Sequence, residues 1–322
     1  ESYEKALLIN PNYHEAHNNL GVALKDLGHL GAALKSYERA IAIKPDYAEA
    51  HNNYGITLMD SGQLDNAVKS YEKALAAKPD YAFAFNNLGV TLNRLGRLDD
   101  AVKYFDKALS INPDYAEAYS NHGNLMTDLN ELDAALLSYQ RANELKPSED
   151  YILGNILHTQ MHLCHWDSLS SHLLDLTKKI NNGEKVIGPF ALMALIDNPK
   201  VLRKASEIYV NEMFPRSNIL SKIENYPIHK KIQIGYFSSD FREHPVSTLT
   251  VELYEKHNRN QFEIHAFSYG PDTKDDMNLR VRAGVDHFYD VRKMSHKDLA
   301  LLARSLEIDI AVDLGGFTQN AR

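Results

Sequence analysis

Small and aromatic residues recur at a fixed interval along the first half of this chain. Glycine, alanine, an aromatic residue and proline each return after 34 positions, a period that indicates repeats of two helices. The periodic positions are Pro11, Pro45, Pro79, Pro113, Pro147; Gly21, Gly55, Gly89, Gly123; Ala33, Ala67, Ala101, Ala135; Tyr37, Tyr71, Phe105, Tyr139; and Ala40, Ala74, Ala108, Ala142. Small residues let the two helices of a repeat pack closely, and proline, which has no backbone N–H, ends the second helix.

A period of 34 residues is that of tetratricopeptide repeats, which stack into a solenoid with one long concave face. The pattern predicts a solenoid over residues 1–150, in which residues 1–10 form the second helix of a repeat. A concave face of this kind binds other chains, so we expect protein or peptide partners held in the groove of the repeats. The consensus fades after Pro147, and residues 151–228 are predicted to be a degenerate repeat and a helical connector.

A ladder of asparagines accompanies the repeats. Its members lie on the first helix of each unit, which lines the concave face: Asn19, Asn53, Asn87, Asn121 and Asn155. A carboxamide has two donors and an acceptor, so a row of them can bind the backbone of an extended peptide whatever its side chains. The alternative is that these side chains only bond between neighbouring repeats or face water.

The pattern changes near residue 226. Short runs rich in β-formers, at 231–237, 262–268, 287–290 and 308–313, alternate with helical patterns, which predicts a parallel, doubly wound sheet over residues 229–322. Sites in such sheets form where the strands end at their carboxyl edge. The predicted fold class is therefore an α-solenoid followed by a partial, Rossmann-like α/β lobe.

One loop at that edge carries candidate chemistry. Ser238–Pro245 joins the first strand to the next helix, and Pro245 suits the first helical turn. His244 then lies at the positive end of the helix dipole, which disfavours the imidazolium. A neutral imidazole can accept a proton or orient a hydroxyl nucleophile, and the free N–H groups of the helix can hold a phosphate. The alternative is a loop histidine that only caps the helix.

Two weaker signals remain. His158 and His162 share a helix face near Cys164 and His165, but the motif of metalloprotease helices is missing, so we predict packing and no metal. Gly315 and Gly316 follow the last strand, where a tight turn explains them as well as a ligand does. Asp313, at the end of that strand, is either an active-site carboxylate or a helix cap.

The composition excludes some classes of partner. The net charge is −8, whereas nucleic acid and anionic membranes require a basic footprint, so neither is expected. The single cysteine and the lack of a secretory signal favour a cytoplasmic location. The chain begins inside a repeat and ends on a strand and a turn, so we expect a fragment cut at both ends.

The repeats together with the motif Ile-Gly-Tyr-Phe-Ser-Ser-Asp-Phe-Arg-Glu-His-Pro-Val-Ser at 234–247 resemble the protein O-GlcNAc transferases and the SPINDLY-type proteins. The resemblance continues at 262–272, 279–282 and 309–318, and Cys164-His-Trp-Asp at 164–167 is similar to a connector motif of bacterial members. It spans nearly the whole chain. The block from Ser-Ser-Asp-Phe to His-Pro is specific, whereas the repeats alone are not.

The resemblance implies a glycosyltransferase of the inverting, metal-independent type with a two-lobed GT-B catalytic region, of which 229–322 is an incomplete first lobe. Such enzymes move a sugar from a nucleotide to Ser or Thr hydroxyls, and the ladder contacts the polypeptide. His244 matches the family's active-site histidine, with Pro245, Thr248, Asp313 and Thr318 as its possible neighbours. Where the family often has Gly-Tyr-Thr, this chain has Gly-Phe-Thr at 316–318.

The expected donor is UDP-N-acetylglucosamine, a co-substrate, with no cofactor. In the family the nucleotide site lies mostly in the second lobe, so no donor-binding residue is predicted and this chain alone is expected to be inactive. Two alternatives stay open. One is a SPINDLY-like O-fucosyltransferase that uses GDP-fucose, and the other is a repeat scaffold without catalysis.

Overall fold

The computed structural model describes residues 2–167, 169–213, 220–222, 226 and 229–315. It separates into two compact units, residues 1–214 and 215–322, and each is described here by itself. Within the described ranges, the helices are all too short or too polar to cross a bilayer.

The described residues of the first unit form helices. They are α1 (Ser2–Ile9), α2 (His14–Asp26), α3 (Leu30–Ile43), α4 (Ala48–Asp60), α5 (Leu64–Ala77), α6 (Ala82–Arg94), α7 (Leu98–Ile111), α8 (Ala116–Asp128), α9 (Leu132–Leu145), α10 (Ile152–His162), α11 (Leu169–Asn181), α12 (Pro189–Met193) and α13 (Pro199–Met213). The even-numbered helices α2 to α8 are the first helices of their repeats, and α3 to α9 are the second. The predicted helical-repeat fold is confirmed.

An aromatic ring packed on a glycine joins the two helices of each repeat. A Cβ added at Gly55 would lie 2.6 Å from the ring of Tyr71, and one added at Gly89 would lie 2.9 Å from Phe105. The alanines that share the period are fully buried beside these rings, as Ala67 is. The periodic small residues are therefore the positions where two helices come too close for a larger side chain.

Each second helix ends where the sequence predicts, just before the repeat proline. The residue before proline is forced towards extended backbone, and Lys44 accordingly has φ −131° and ψ 90°. Lys78 and Asn112 have the same conformation at the ends of α5 and α7.

Beyond Pro147 the chain leaves the repeat pattern gradually. Helix α10 packs against α9, and Ile152 and Ile156 extend the core of the repeats. Leu157, on the same helix, belongs instead to a second core that α11, α12 and α13 complete. Thus α10 is shared between the solenoid and the connector.

The second unit contains a four-stranded parallel sheet with the order β3-β2-β1-β4. Its strands are β1 (Ile232–Ser238), β2 (Phe262–Ser268), β3 (His287–Asp290) and β4 (Ile310–Asp313), and its helices are α14 (Pro245–Lys256), α15 (Asp276–Gly284) and α16 (His296–Ser305). Ile234 pairs in register with Ile264 on one side and with Ile310 on the other.

Helices cover both faces of the sheet, as the alternation of elements predicts. Val251 of α14 and Val281 of α15 pack on one face against Ile264, and Leu299 of α16 packs on the other face against Phe267. Because the strands are parallel, they all end at one edge of the sheet. The loops that follow them therefore meet there.

Candidate functional site

A cleft of about 700 Å³ lies at this carboxyl edge. Residues that follow all four strands build it: the loops after β1 and β2, Arg292 after β3 and Leu314 after β4. It is lined by Ser239, Asp240, Arg242, His244, Val246, Tyr269, Gly270, Pro271, Arg292 and Leu314. The predicted location of the site, at the ends of the strands, is where the structure has its cleft.

Hydrogen bonds to its own backbone fix the loop between β1 and α14. The Asp240 amide donates to Ser238 Oγ at 3.0 Å, and Ser247 Oγ donates to the Asp240 carbonyl at 2.5 Å. Asn278 Nδ2, from α15, donates to the carbonyl of Phe241 at 2.5 Å. The Phe241 side chain is buried in the core of the sheet, so the loop is anchored on both its polar and its apolar side.

The loop after β2 touches this first loop backbone to backbone. The Tyr269 amide donates to the Ser238 carbonyl at 3.1 Å. A Cβ added at Gly270 would lie 1.7 Å from the Ser239 carbonyl oxygen, a separation that no side chain can have. Gly270 is therefore needed for the two loops to meet and close one wall of the cleft.

His244 is both the N-cap of α14 and a wall of the cleft. Its Nδ1 accepts a hydrogen bond from the Val246 amide at 3.2 Å, and the ring is about one third exposed. A ring nitrogen that accepts from an amide carries no proton, so the ring proton lies on Nε2. The cap leaves Nε2–H as a hydrogen-bond donor; the capping interpretation fits this geometry, and a catalytic role of His244 stays a prediction.

The cleft also holds two guanidinium groups. Arg242 Nη2 lies 3.4 Å from Asp240 Oδ1, while its buried Nε has no hydrogen-bond partner among the described residues. Arg292 Nη2 lies 2.6 Å from Asp290, and this contact lowers the pKa of Asp290 to about 2. Both guanidinium groups line the cleft, where they can donate to an anionic or carbonyl group of a ligand.

The predicted neighbours of His244 lie in different places. Pro245 is the first residue of α14, and Thr248 Oγ1 donates to the His244 carbonyl at 3.2 Å; both line a shallow pocket beside His244. Asp313 ends β4 next to Phe237, and its Oδ1 accepts from the Gly315 amide at 2.9 Å. Thr318 lies outside the described residues, as do Gly316 and Phe317.

The asparagine ladder bonds from repeat to repeat. Asn53 Nδ2 donates to Asn18 Oδ1 at 3.0 Å, and the equivalent pairs are Asn87 with Asn52 at 2.9 Å, Asn121 with Asn86 at 3.0 Å and Asn155 with Asn124 at 3.4 Å. Asn19 accepts from its neighbour Asn18. One N–H of each donor is thus used inside the solenoid, and each of these four donor residues is half-buried.

The asparagines that hold this ladder were not among the residues predicted from the sequence. Asn18, Asn52 and Asn86 are buried one position before the ladder residues, and they have the same spacing of 34 residues. That second period was the available signal. It stops at Ser120, so Asn155 reaches Asn124 instead.

Two clusters have residue types that bind metals. His158 Nε2 and His162 Nε2 lie 3.3 Å apart on α10, and nearby Cys164 is exposed. In the sheet, ligand atoms of Glu263, His265 and His287 lie within 4.8 Å of one another. Hydrogen bonds already join this second cluster, because His287 contacts Glu263 at 2.8 Å and His265 contacts Gln233 at 2.7 Å.

Two family models match separate parts of the chain. Residues 1–48, 18–82, 55–116 and 94–150 match the model of the tetratricopeptide repeat, and residues 212–322 match that of glycosyl transferase family 41. The chain thus joins a region that matches tetratricopeptide repeats to a segment that matches glycosyl transferase family 41. The cleft with His244 lies entirely within the segment that matches family 41.

Two curated relatives bear related names. A probable UDP-N-acetylglucosamine–peptide N-acetylglucosaminyltransferase of Arabidopsis thaliana is 27% identical over 185 residues, which are 52% of this chain and 19% of the relative. An enzyme of the same name from Caenorhabditis elegans is 30% identical over 96 residues, which are 29% of this chain and 8% of the relative. The chain thus spans a fifth or less of the length of either relative.

Among solved structures, a point mutant of the Thermobaculum terrenum O-GlcNAc transferase matches 82% of this chain and 45% of its own, with 20% identity and a TM-score of 0.43. The Pseudomonas aeruginosa protein pilF matches 67% of this chain and 96% of its own, with 16% identity and a TM-score of 0.52. The second likeness concerns the helical fold alone.

Proposed function

We propose that this chain belongs to a protein O-glycosyltransferase that transfers N-acetylglucosamine from UDP-N-acetylglucosamine to Ser or Thr hydroxyls. The acceptor oxygen attacks the anomeric carbon with inversion, the diphosphate leaves with the bonding electron pair, and the hydroxyl proton passes to a base. The repeats hold the acceptor polypeptide. No metal is assigned a role in the step.

The observation that supports this proposal best is the cleft itself. It lies in the family 41 segment, at the edge of the sheet where α/β folds bind their ligands. It combines a histidine that has a fixed orientation with two guanidinium groups. This set of residues suits a sugar and the anion that leaves it, because positioning and charge stabilisation do most of the work in such a displacement.

The N-cap geometry suggests a definite role for His244. Its Nδ1 is held by the Val246 amide, so Nε2–H is available to donate to a sugar, phosphate or hydroxyl oxygen. Under this proposal His244 orients a reactant, and the base is another group. The cap keeps the ring from turning when no substrate is bound.

Two substitutions separate capping from catalysis. In His244→Asn the Asn oxygen can still cap α14, since Asn is among the best N-cap residues, but the Nε2 donor is lost. We expect the thermal midpoint of the Asn variant to stay near that of the parent while transfer falls roughly 100- to 1,000-fold. His244→Ala should lose both stability and transfer. Full activity of the Asn variant would show that His244 is only a cap.

The assay of function uses the longest reading frame that contains this sequence, with the 322-residue chain assayed beside it. The purified protein is incubated with acceptor proteins and either UDP-N-acetylglucosamine or GDP-fucose, and mass shifts on Ser and Thr are measured. A mass shift with UDP-N-acetylglucosamine supports the proposal. A mass shift with GDP-fucose alone would show that the transferred sugar is fucose. A folded protein that binds peptides but transfers neither sugar would be a scaffold.

A further inference from the structure

The first helices of successive repeats contact one another, so they form a continuous surface within the first unit. On each of them, positions spaced by four, three and four residues lie on one helix face and remain accessible to solvent. On α6 these positions are Phe83, Asn87, Val90 and Arg94. We call this face, with the equivalent positions of α2, α4 and α8, the inner stripe; it includes the asparagine ladder.

On α2, α4 and α8, the inner stripe has an acidic residue near each end of the helix, whereas on α6 neither of these two positions is acidic. The acidic positions are Glu15, Asp26, Glu49, Asp60, Glu117 and Asp128. On α6, the position of the glutamates is Phe83 and the position of the aspartates is Arg94. Both departures from the repeat fall on the same helix, and both remove a negative charge.

Phe83 belongs to a patch of three aromatic rings. Its side chain is 51% exposed, and its ring centroid lies 4.9 Å from that of Tyr115 and 6.1 Å from that of Tyr81. In the preceding repeat the equivalent pair is polar, because Tyr47 shares a hydrogen bond with Glu49. With Phe83 at the position of the glutamate, this polar contact is replaced by an apolar surface that is exposed to solvent.

We propose that Phe83, with Tyr81 and Tyr115, is a subsite for one aromatic or large aliphatic side chain of the polypeptide bound along the inner stripe. The flanking Glu49 and Glu117 favour Lys or Arg on either side of that residue. This inference rests on the proposed function, since it names a feature of the polypeptide that the repeats hold. It makes α6 a point of sequence selection in a face whose carboxamides are otherwise tolerant of sequence.

Single exposed apolar side chains are common and need no partner, and Leu137 on the second helix α9, 68% exposed, is such a case. Phe83 differs in three respects. It contacts other rings, it lies one turn from ladder residue Asn87, and it occurs where the repeat specifies a charge. Leu137 therefore serves as the matched control.

Binding is measured by fluorescence anisotropy with the 322-residue chain and labelled peptides of Gly, Ser, Thr and Lys. In each peptide a single Phe is placed at a different position, and a twin carries Ala instead. Filling the subsite should tighten binding about five- to tenfold over the Ala twin at the best positions. In Phe83→Glu this gain should disappear, in Phe83→Leu it should persist in part, and in Leu137→Glu it should be unchanged.

Circular dichroism and the thermal midpoint confirm that each variant is folded, as expected for substitutions at exposed positions. A preference for Phe that survives Phe83→Glu overturns the subsite, and so does binding of the Phe and Ala peptides with equal affinity. If the chain binds none of the peptides, both the subsite and the peptide-holding part of the proposed function are wrong. Loss of binding in Leu137→Glu as well would contradict a role confined to the inner stripe.

Discussion

In both units, glycine allows a close contact that a larger side chain would prevent, but the consequences differ. In the repeats, the contact between a glycine and an aromatic ring occurs at Gly21, Gly55, Gly89 and Gly123 with nearly the same geometry. In the sheet unit, the contact between Gly270 and Ser239 occurs once and determines the shape of the cleft. The stability of the repeats is divided among several equivalent contacts, whereas the shape of the cleft depends on a single contact.

Gly270→Ala should therefore have the largest effect. The new Cβ would overlap the Ser239 carbonyl oxygen, and backbone cannot rotate away as a side chain can. We expect a loss on the order of 3 to 5 kcal/mol in the free energy of unfolding of the sheet unit, or a displaced loop with faster exchange of its amides. Thermal unfolding and hydrogen exchange of residues 236–244 measure both outcomes.

Gly284→Ala is the control in the same unit. Its Cβ would lie 3.3 Å from Glu255 Cγ, the stem of a flexible side chain that can move. This variant should stay within about 1 kcal/mol of the parent. Equal stability of the two variants would show that the contact between the loops does not shape the cleft.

The comparison also explains what the sequence could predict. The signals with a period of 34 residues recur four or five times, so the helices of the repeats and the ends of their second helices follow from the spacing. The parallel direction of the strands and the carboxyl edge at which a site is expected follow from the alternation of strands and helices. These general features need no knowledge of any single contact.

Contacts that occur once could not be predicted in this way. The approach of Gly270 to Ser239 joins residues 31 positions apart, and no pattern marks it. The hydrogen bond from the Val246 amide to His244 Nδ1 depends on the orientation of the imidazole ring. The sequence motif does not specify that orientation. Asn18 is periodic, but a period of 34 residues does not distinguish it from its neighbour Asn19 as the residue that bonds between repeats.

Gly55→Ala tests one of the repeated contacts. The Cβ would lie 2.6 Å from the fully buried ring of Tyr71, so either the ring or the helix must move. We expect the free energy of unfolding of the first unit to fall by about 1 to 3 kcal/mol, as for other overpacked cores. Urea unfolding followed by the fluorescence of Trp166 measures it.

Gly31→Ala is the matched control in the repeats. Gly31 is exposed on α3 and its Cβ would meet nothing within 4 Å, so Ala should be neutral or should stabilise the helix by up to about 1 kcal/mol. If Gly55→Ala is as well tolerated as Gly31→Ala, the close packing of the two helices is not what requires glycine.

A smaller effect is expected from one pair of the ladder. In Asn53→Ala the carbonyl oxygen of buried Asn18 loses its donor, which should cost about 0.5 to 1.5 kcal/mol. A double-mutant cycle with Asn18→Ala isolates the pair: the two substitutions should together cost less than their sum. Strict additivity would mean that the bond contributes nothing to the stacking of repeats.

The smallest effect concerns a single proton in the sheet unit. His265 is 3% exposed, and its burial lowers its pKa below the ordinary value near 6.5, with His287 adding to the shift. As pH falls through about 6.5, the unfolded chain binds a proton that the folded chain does not, so stability falls until the folded pKa is reached. His265→Phe removes this contribution and keeps the stacking on Phe267 and Tyr289.

Hydrogen exchange of β2, compared between parent and variant at each pH from 7 to 5, should show a steeper loss of protection in the parent. His296→Gln, at an exposed position, should follow the parent, and parallel profiles for His265→Phe and the parent would mean that His265 takes up its proton equally well in the folded sheet.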